Sequence, residues 1–92
     1  MSQVLYFYGE KPFKNGKKQL KRRVTIAGVI SDGNILRIGM AECSVKDQFV
    51  KKVGRAKAFG RAIGNKYKLQ TAVPTDVNPI QFFIDKAKQI IS

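Results

Sequence analysis

Histidine and tryptophan are missing from this chain of 92 residues, and cysteine occurs once. Without histidine the commonest general base and a leading metal ligand are gone. Cys43 alone forms no intramolecular disulfide, and with no histidine to activate it, no thiol–imidazole nucleophile. It reads as a small buried residue ahead of a helix. Carboxylates are scarce as well: Glu10, Asp32, Glu42, Asp47, Asp76 and Asp85 are the full set. Asp32 belongs to a turn and Asp47 to a helix cap. Glu42 and Asp47 lack the third acid that a metal-dependent nuclease would use. The sequence therefore predicts neither an enzyme nor a metal or cofactor site.

Long apolar runs are also lacking. The longest span about five residues, against the roughly 20 that cross a bilayer. Residues 1–11 show no basic stretch leading into an apolar core, so no signal peptide is expected. With one cysteine, the default expectation is a cytoplasmic protein. Its length suits a single domain with one core.

Positive charge is what the chain has in excess. Eighteen Lys and Arg face six Asp and Glu, a net charge of +12. The excess is segregated. Residues 1–23 carry Lys11, Lys14, Lys17, Lys18, Lys21, Arg22 and Arg23 against Glu10. Residues 44–68 carry Lys46, Lys51, Lys52, Arg55, Lys57, Arg61, Lys66 and Lys68 against Asp47. Blocks of one sign repel themselves unless a polyanion neutralises them, so nucleic acid is the first partner to consider. A merely solubilising basic surface is the plainer reading.

Residues 4–8, Val-Leu-Tyr-Phe-Tyr, are aromatic and β-prone. Residues 23–30 and 35–42 read as two further strands around Asp32-Gly33, a two-residue hairpin signal. Residues 10–21 form a basic arm with its own turn signal at Asn15-Gly16, expected to be loosely ordered. Pairing through that turn sets Tyr8 opposite Arg23. Pro12 fits an edge strand or a loop. Ser44 and Asp47 suggest a capped helix over residues 45–63, with an apolar stripe at Val45, Phe49, Val53, Ala56, Gly60 and Ile63. Gly64-Asn65 ends it. Residues 66–73 are a candidate fourth strand. Asn78-Pro79 then reads as cap and first turn of a last helix, with Ile80, Phe83, Ile84, Ala87 and Ile91 on one face. The expected fold is α+β: an antiparallel three-stranded meander plus that fourth strand and two helices, in the order β-β-β-α-β-α.

Pairing through both predicted turns puts Leu5, Phe7, Val24, Ile26, Ile30 and Ile35 on one side of the sheet. Tyr6, Tyr8, Val29, Leu36, Ile38 and Met40 fall on the other. Both sides are apolar, so either helices cover both or one is buried in a homodimer. A small chain gains from a shared core, which favours the dimer.

Residues 54–64, GRAKAFGRAIG, repeat Gly-Arg-Ala within the predicted helix. Glycine there costs roughly 1 kcal/mol against alanine. Gly60 falls on the apolar stripe, which predicts close packing on the sheet near Gly28 or Gly39. Gly54 falls outward, where it either tolerates a bend or admits a partner to the backbone. The spacing is not that of a phosphate-binding P-loop.

Nucleic-acid binding needs cations for phosphates and, for single strands, aromatic faces for bases. The candidate contacts are Lys14, Lys17, Lys18, Lys21, Arg22 and Arg23 in the first block, and Lys51, Lys52, Arg55, Arg61, Lys66 and Lys68 in the second. Tyr6, Tyr8, Phe13 and Tyr67 are the aromatic candidates. Tyr6 and Tyr8 share a face beside Arg23, though core or interface tyrosines with wet hydroxyls would look the same. Nothing encodes sequence-specific reading. DNA or RNA would be held by its backbone, with single strands favoured by the aromatics. The competing expectation is an inhibitor or accessory protein whose basic surface docks on an acidic host protein or a ribonucleoprotein.

The run Cys-Ser-Val-Lys-Asp-Gln-Phe-Val-Lys-Lys-Val-Gly-Arg at residues 43–55, continuing to Gly60-Arg-Ala, resembles a recurring pattern in small uncharacterised bacteriophage proteins. These show a β-hairpin, then Cys-Ser-x-x-Asp-x-Phe-x-Lys-Lys-x-Gly-Arg, then Gly-Arg-Ala. The resemblance covers about residues 24–62. It implies a viral or mobile-element origin and carries no activity. Strands leading into a basic helix are also similar, at fold level only, to Pur-type single-strand-binding repeats.

Overall fold

The computed structural model describes residues 3–43 and 50–91; the side chains of Phe13 and Asn15 fall outside the description. Four strands, β1 (Gln3–Asn15), β2 (Lys18–Ser31), β3 (Ile35–Glu42) and β4 (Leu69–Ala72), form one antiparallel sheet in the order β1-β2-β3-β4. Helix α1 (Lys51–Ile63) lies between β3 and β4 in sequence, and α2 (Pro79–Ile91) closes the chain. The fold is α+β in the predicted order. The proposed cap at Ser44 and Asp47, and the stripe residues Val45 and Phe49, lie outside the described residues, as does Lys46.

The turn between β2 and β3 is one residue longer than Asp-Gly alone implies. Ser31 pairs with Ile35, leaving Asp32, Gly33 and Asn34 in the loop. Gly33 and Asn34 both take positive φ, +88° and +60°, and the Asn34 amide donates to the Ser31 carbonyl at 3.1 Å. One residue of register turns every side chain of β3 to the opposite face. Ile30 therefore sits opposite Leu36, Gly28 opposite Ile38 and Ile26 opposite Met40. Leu36, Ile38 and Met40 join Leu5, Phe7, Val24, Ile26 and Ile30, while Ile35 leaves that group. In the first hairpin Asn15 pairs with Lys18, so Gly16 and Lys17 form the turn. Tyr8 faces Thr25 rather than Arg23, whose partner is Glu10. That shift is two residues, so the faces of β1 and β2 are as expected.

The corrected register sorts the sheet by size. One face carries the large residues and is covered by α2. Phe83 sits on Gly28, where any Cβ would collide with its ring, and Ala87 and Val73 complete the buried set. Asn78 caps α2: its Oδ1 accepts from the Ile80 and Gln81 amides at 2.9 and 3.3 Å. Ile80, expected on the buried face, is exposed instead.

The other face is lined by small residues, Ala27, Gly39 and Ala41 with Val29, and is covered by α1. Here the expected helix orientation is overturned. Ala58 and Ala62 are fully buried, and their backbone meets the position a Gly39 side chain would fill. Gly54 also faces the sheet, with its missing Cβ 2.5 Å from Thr25 Oγ1. Gly60 faces open space, and the described part of the expected stripe points outward, with Val53 and Ile63 about half exposed (48% and 52%). The small residues Gly54, Ala58 and Ala62 recur every fourth position and let the helix axis come close to the sheet. A row of larger side chains would hold it away.

Helices thus lie on both apolar faces within one chain, α2 on the face of large residues and α1 over β2 and β3 on the other.

Candidate nucleic-acid interface

Helix α1 lies over β2 and β3, leaving the same face of β1 open. Along that strip Val4, Tyr6 and Tyr8 stand on alternate residues, each a little over one third exposed (38%, 39% and 37%). Their register partners are Val29, Ala27 and Thr25. The near flank of α1 reaches across to Tyr8. Lys51 Nζ lies 5.0 Å from the centroid of the Tyr8 ring, and Arg55 Nη1 donates to the Tyr8 hydroxyl at 3.1 Å. Two cations from a helix thus contact Tyr8, and Tyr6 stands beside it on the same face of the edge strand. Charge can hold phosphate there while a ring face is offered to a base.

β1 and β2 continue beyond the rest of the sheet. β3 pairs with β2 only from Val24 to Ser31, so residues 10–23 project as a two-stranded ribbon. The molecule is accordingly long, 45 × 23 × 20 Å. The arm expected to be loosely ordered is a continuous hairpin with Pro12 on the edge strand, where its missing N–H leaves no ladder bond unmade. Strand alternation puts Lys14, Lys21 and Arg23 on the tyrosine face. Lys11, Lys18, Leu20 and Arg22 occupy the other. Glu42 anchors the root of that second face, ion-paired with Lys11 at 3.3 Å and Arg22 at 3.4 Å.

The remaining predicted contacts do not join the tyrosine strip. Arg61 turns back on the sheet, and its Nη1 donates to the Met40 carbonyl at 2.6 Å. With Arg22, Glu42 and Lys68 it lines a separate open cleft of about 410 Å³ beside β3. Lys52 lies on the outer side of α1. Lys66 and Tyr67 belong to the connection into β4, and the Arg37 guanidinium stacks 5.2 Å above the Tyr67 ring. The Phe13 side chain lies outside the description. Among the described residues no group of three or more His, Cys, Asp or Glu is placed to hold a metal ion, and no helix is long and apolar enough to cross a membrane.

No protein-family model, curated protein or solved structure matches the chain.

Proposed function

We propose that this chain binds nucleic acid through the open face of β1, with phosphates held by Lys51, Arg55, Lys14, Lys21 and Arg23, and bases stacked on Tyr6 and Tyr8. Binding is largely independent of sequence, and the partly exposed tyrosines favour single strands. The observation that carries this reading is the contact of Lys51 and Arg55 with Tyr8, which shares an exposed strand face with Tyr6. A net charge of +12 suits a polyanion ligand, and base stacking of this kind is worth about 1–3 kcal/mol per base. A phage setting is proposed on the residue pattern at 43–55 alone.

One observation favours the competing reading. The outward Val53 and Ile63 are apolar, and a phosphate backbone gives them nothing to pack against. A protein partner with acidic and apolar residues would cover them.

Fluorescence anisotropy with a single-stranded oligonucleotide separates the two. Lys51→Glu with Arg55→Glu is expected to weaken binding at least tenfold, and Tyr6→Ala with Tyr8→Ala by a similar factor. Lys88→Glu, on α2, serves as the charge control and is expected to change affinity less than threefold. Equal losses for the Lys51/Arg55 pair and the control would exclude a localised site.

A further inference from the structure

The ribbon at residues 10–23 carries cations in a way the tyrosine strip does not need. A single strand lying along one surface contacts one face. On this ribbon Lys14 and Lys21 point to the tyrosine face, Lys18 points to the opposite face, and Lys17 sits at the turn. All four are exposed. At the root, Lys11 and Arg22 share Glu42 on the far face through exposed ion pairs. Such pairs contribute little and are readily exchanged for phosphate. Cations on two faces and the tip suit a ligand that surrounds the ribbon. The groove of a duplex does this, because its two walls are phosphate backbones. The major groove, about 12 Å wide, admits a two-stranded ribbon. From Glu10 to Asn15 the arm spans roughly 17–20 Å at about 3.4 Å per residue, which is five or six base-pair steps of duplex.

Duplex at the arm and single strand at its root describe one ligand. We infer that the preferred substrate is a junction between double-stranded and single-stranded nucleic acid: the ribbon enters the duplex groove, and the emerging strand crosses Tyr8 and Tyr6. This rests on the nucleic-acid reading above and adds the class of substrate. The geometry supports it because Lys14 and the two tyrosines stand on one face of one continuous strand, β1, and Lys21 of β2 lies on the same face, opposite Pro12.

The test compares three ligands of matched length: a single strand, a duplex, and a duplex with a single-stranded tail. Anisotropy is read at about 0.15 M salt, where weak non-specific contacts are screened. The junction is expected to bind at least tenfold tighter than either other ligand. Replacing Lys14, Lys17, Lys18 and Lys21 by Gln keeps the ribbon and should bring junction affinity to within about threefold of the single strand. Tyr6→Ala with Tyr8→Ala should instead bring it down to the duplex value. A second arm variant, with residues 11–22 replaced by Asn-Gly, should reproduce the lysine result. A junction bound no tighter than the better of its parts, or a preference that survives loss of the four lysines, overturns the inference while leaving the binding function standing. Failure to bind any of the three overturns both.

Discussion

Gly54 and Gly60 carry the same flanking residues, Arg and Ala, and have opposite environments. A Cβ at Gly54 would meet Thr25 Oγ1 at 2.5 Å and Thr25 Cβ at 3.2 Å, whereas nothing lies within 4 Å of one at Gly60. Gly60→Ala should therefore stabilise the fold by about 0.5–1 kcal/mol through helix propensity. Gly54→Ala gains the same propensity but forces Thr25, buried and β-branched, to move. A net loss of about 1–2 kcal/mol is expected. In a Thr25→Ala background most of that cost should vanish, a coupling readable from urea denaturation of the four chains. Equal effects of the two glycine substitutions would contradict the helix orientation. The repeat was legible in the sequence, but not the roles of its copies. Spacing of large apolar residues picked out Val53, Ala56, Gly60 and Ile63, while the contact is made by Gly54, Ala58 and Ala62. The usable signal was on the sheet: Ala27, Gly39 and Ala41 leave room only for a helix that presents small residues.

Elements were more legible than their pairing. The Asn78-Pro79 signature located the start of α2, and strong β-formers located β3 at its observed bounds. At the Asp32-Gly33 turn, Asn34 stays in the loop rather than pairing with Ser31, which displaces the whole of β3 by one residue from the two-residue hairpin. Size distinguishes the two, since only the three-residue loop groups Leu36, Ile38 and Met40 with Ile26 and Ile30. The turn makes its own prediction. Asn34 holds φ +60°, a region that suits Gly and Asn and disfavours β-branched residues. Asn34→Gly should keep stability within about 0.5 kcal/mol, and Asn34→Val should lower it by roughly 1–2 kcal/mol. Equal denaturation midpoints for the two would mean that the chain pairs through a shorter loop. On α1, Val53→Lys and Ile63→Lys should each cost under about 0.5 kcal/mol, because both side chains already face water.

At the scale of the whole molecule, charge was legible from composition, but its sorting needed the register. The sequence grouped cations by position along the chain. The fold divides them by face, directing Lys14 and Lys21 to the tyrosine strip, Lys18 to the reverse of the arm, and Arg61 onto the Met40 carbonyl. That Tyr6 and Tyr8 share a face follows from strand alternation alone. Lys51 and Arg55 join them only because α1 lies with its small residues against the sheet. The most direct test of this arrangement is the salt dependence of binding to a single-stranded oligonucleotide of about 15 nucleotides. Contacts from Lys14, Lys21, Arg23, Lys51 and Arg55 predict a log–log slope of about −3.5, at roughly 0.7 per phosphate neutralised. Lys51→Glu with Arg55→Glu should reduce the magnitude by at least about 1.4. A steep slope that those two substitutions lessen would support the site. A slope near zero, or no binding at about 50 mM salt, would contradict the claim that this surface exists to hold nucleic acid.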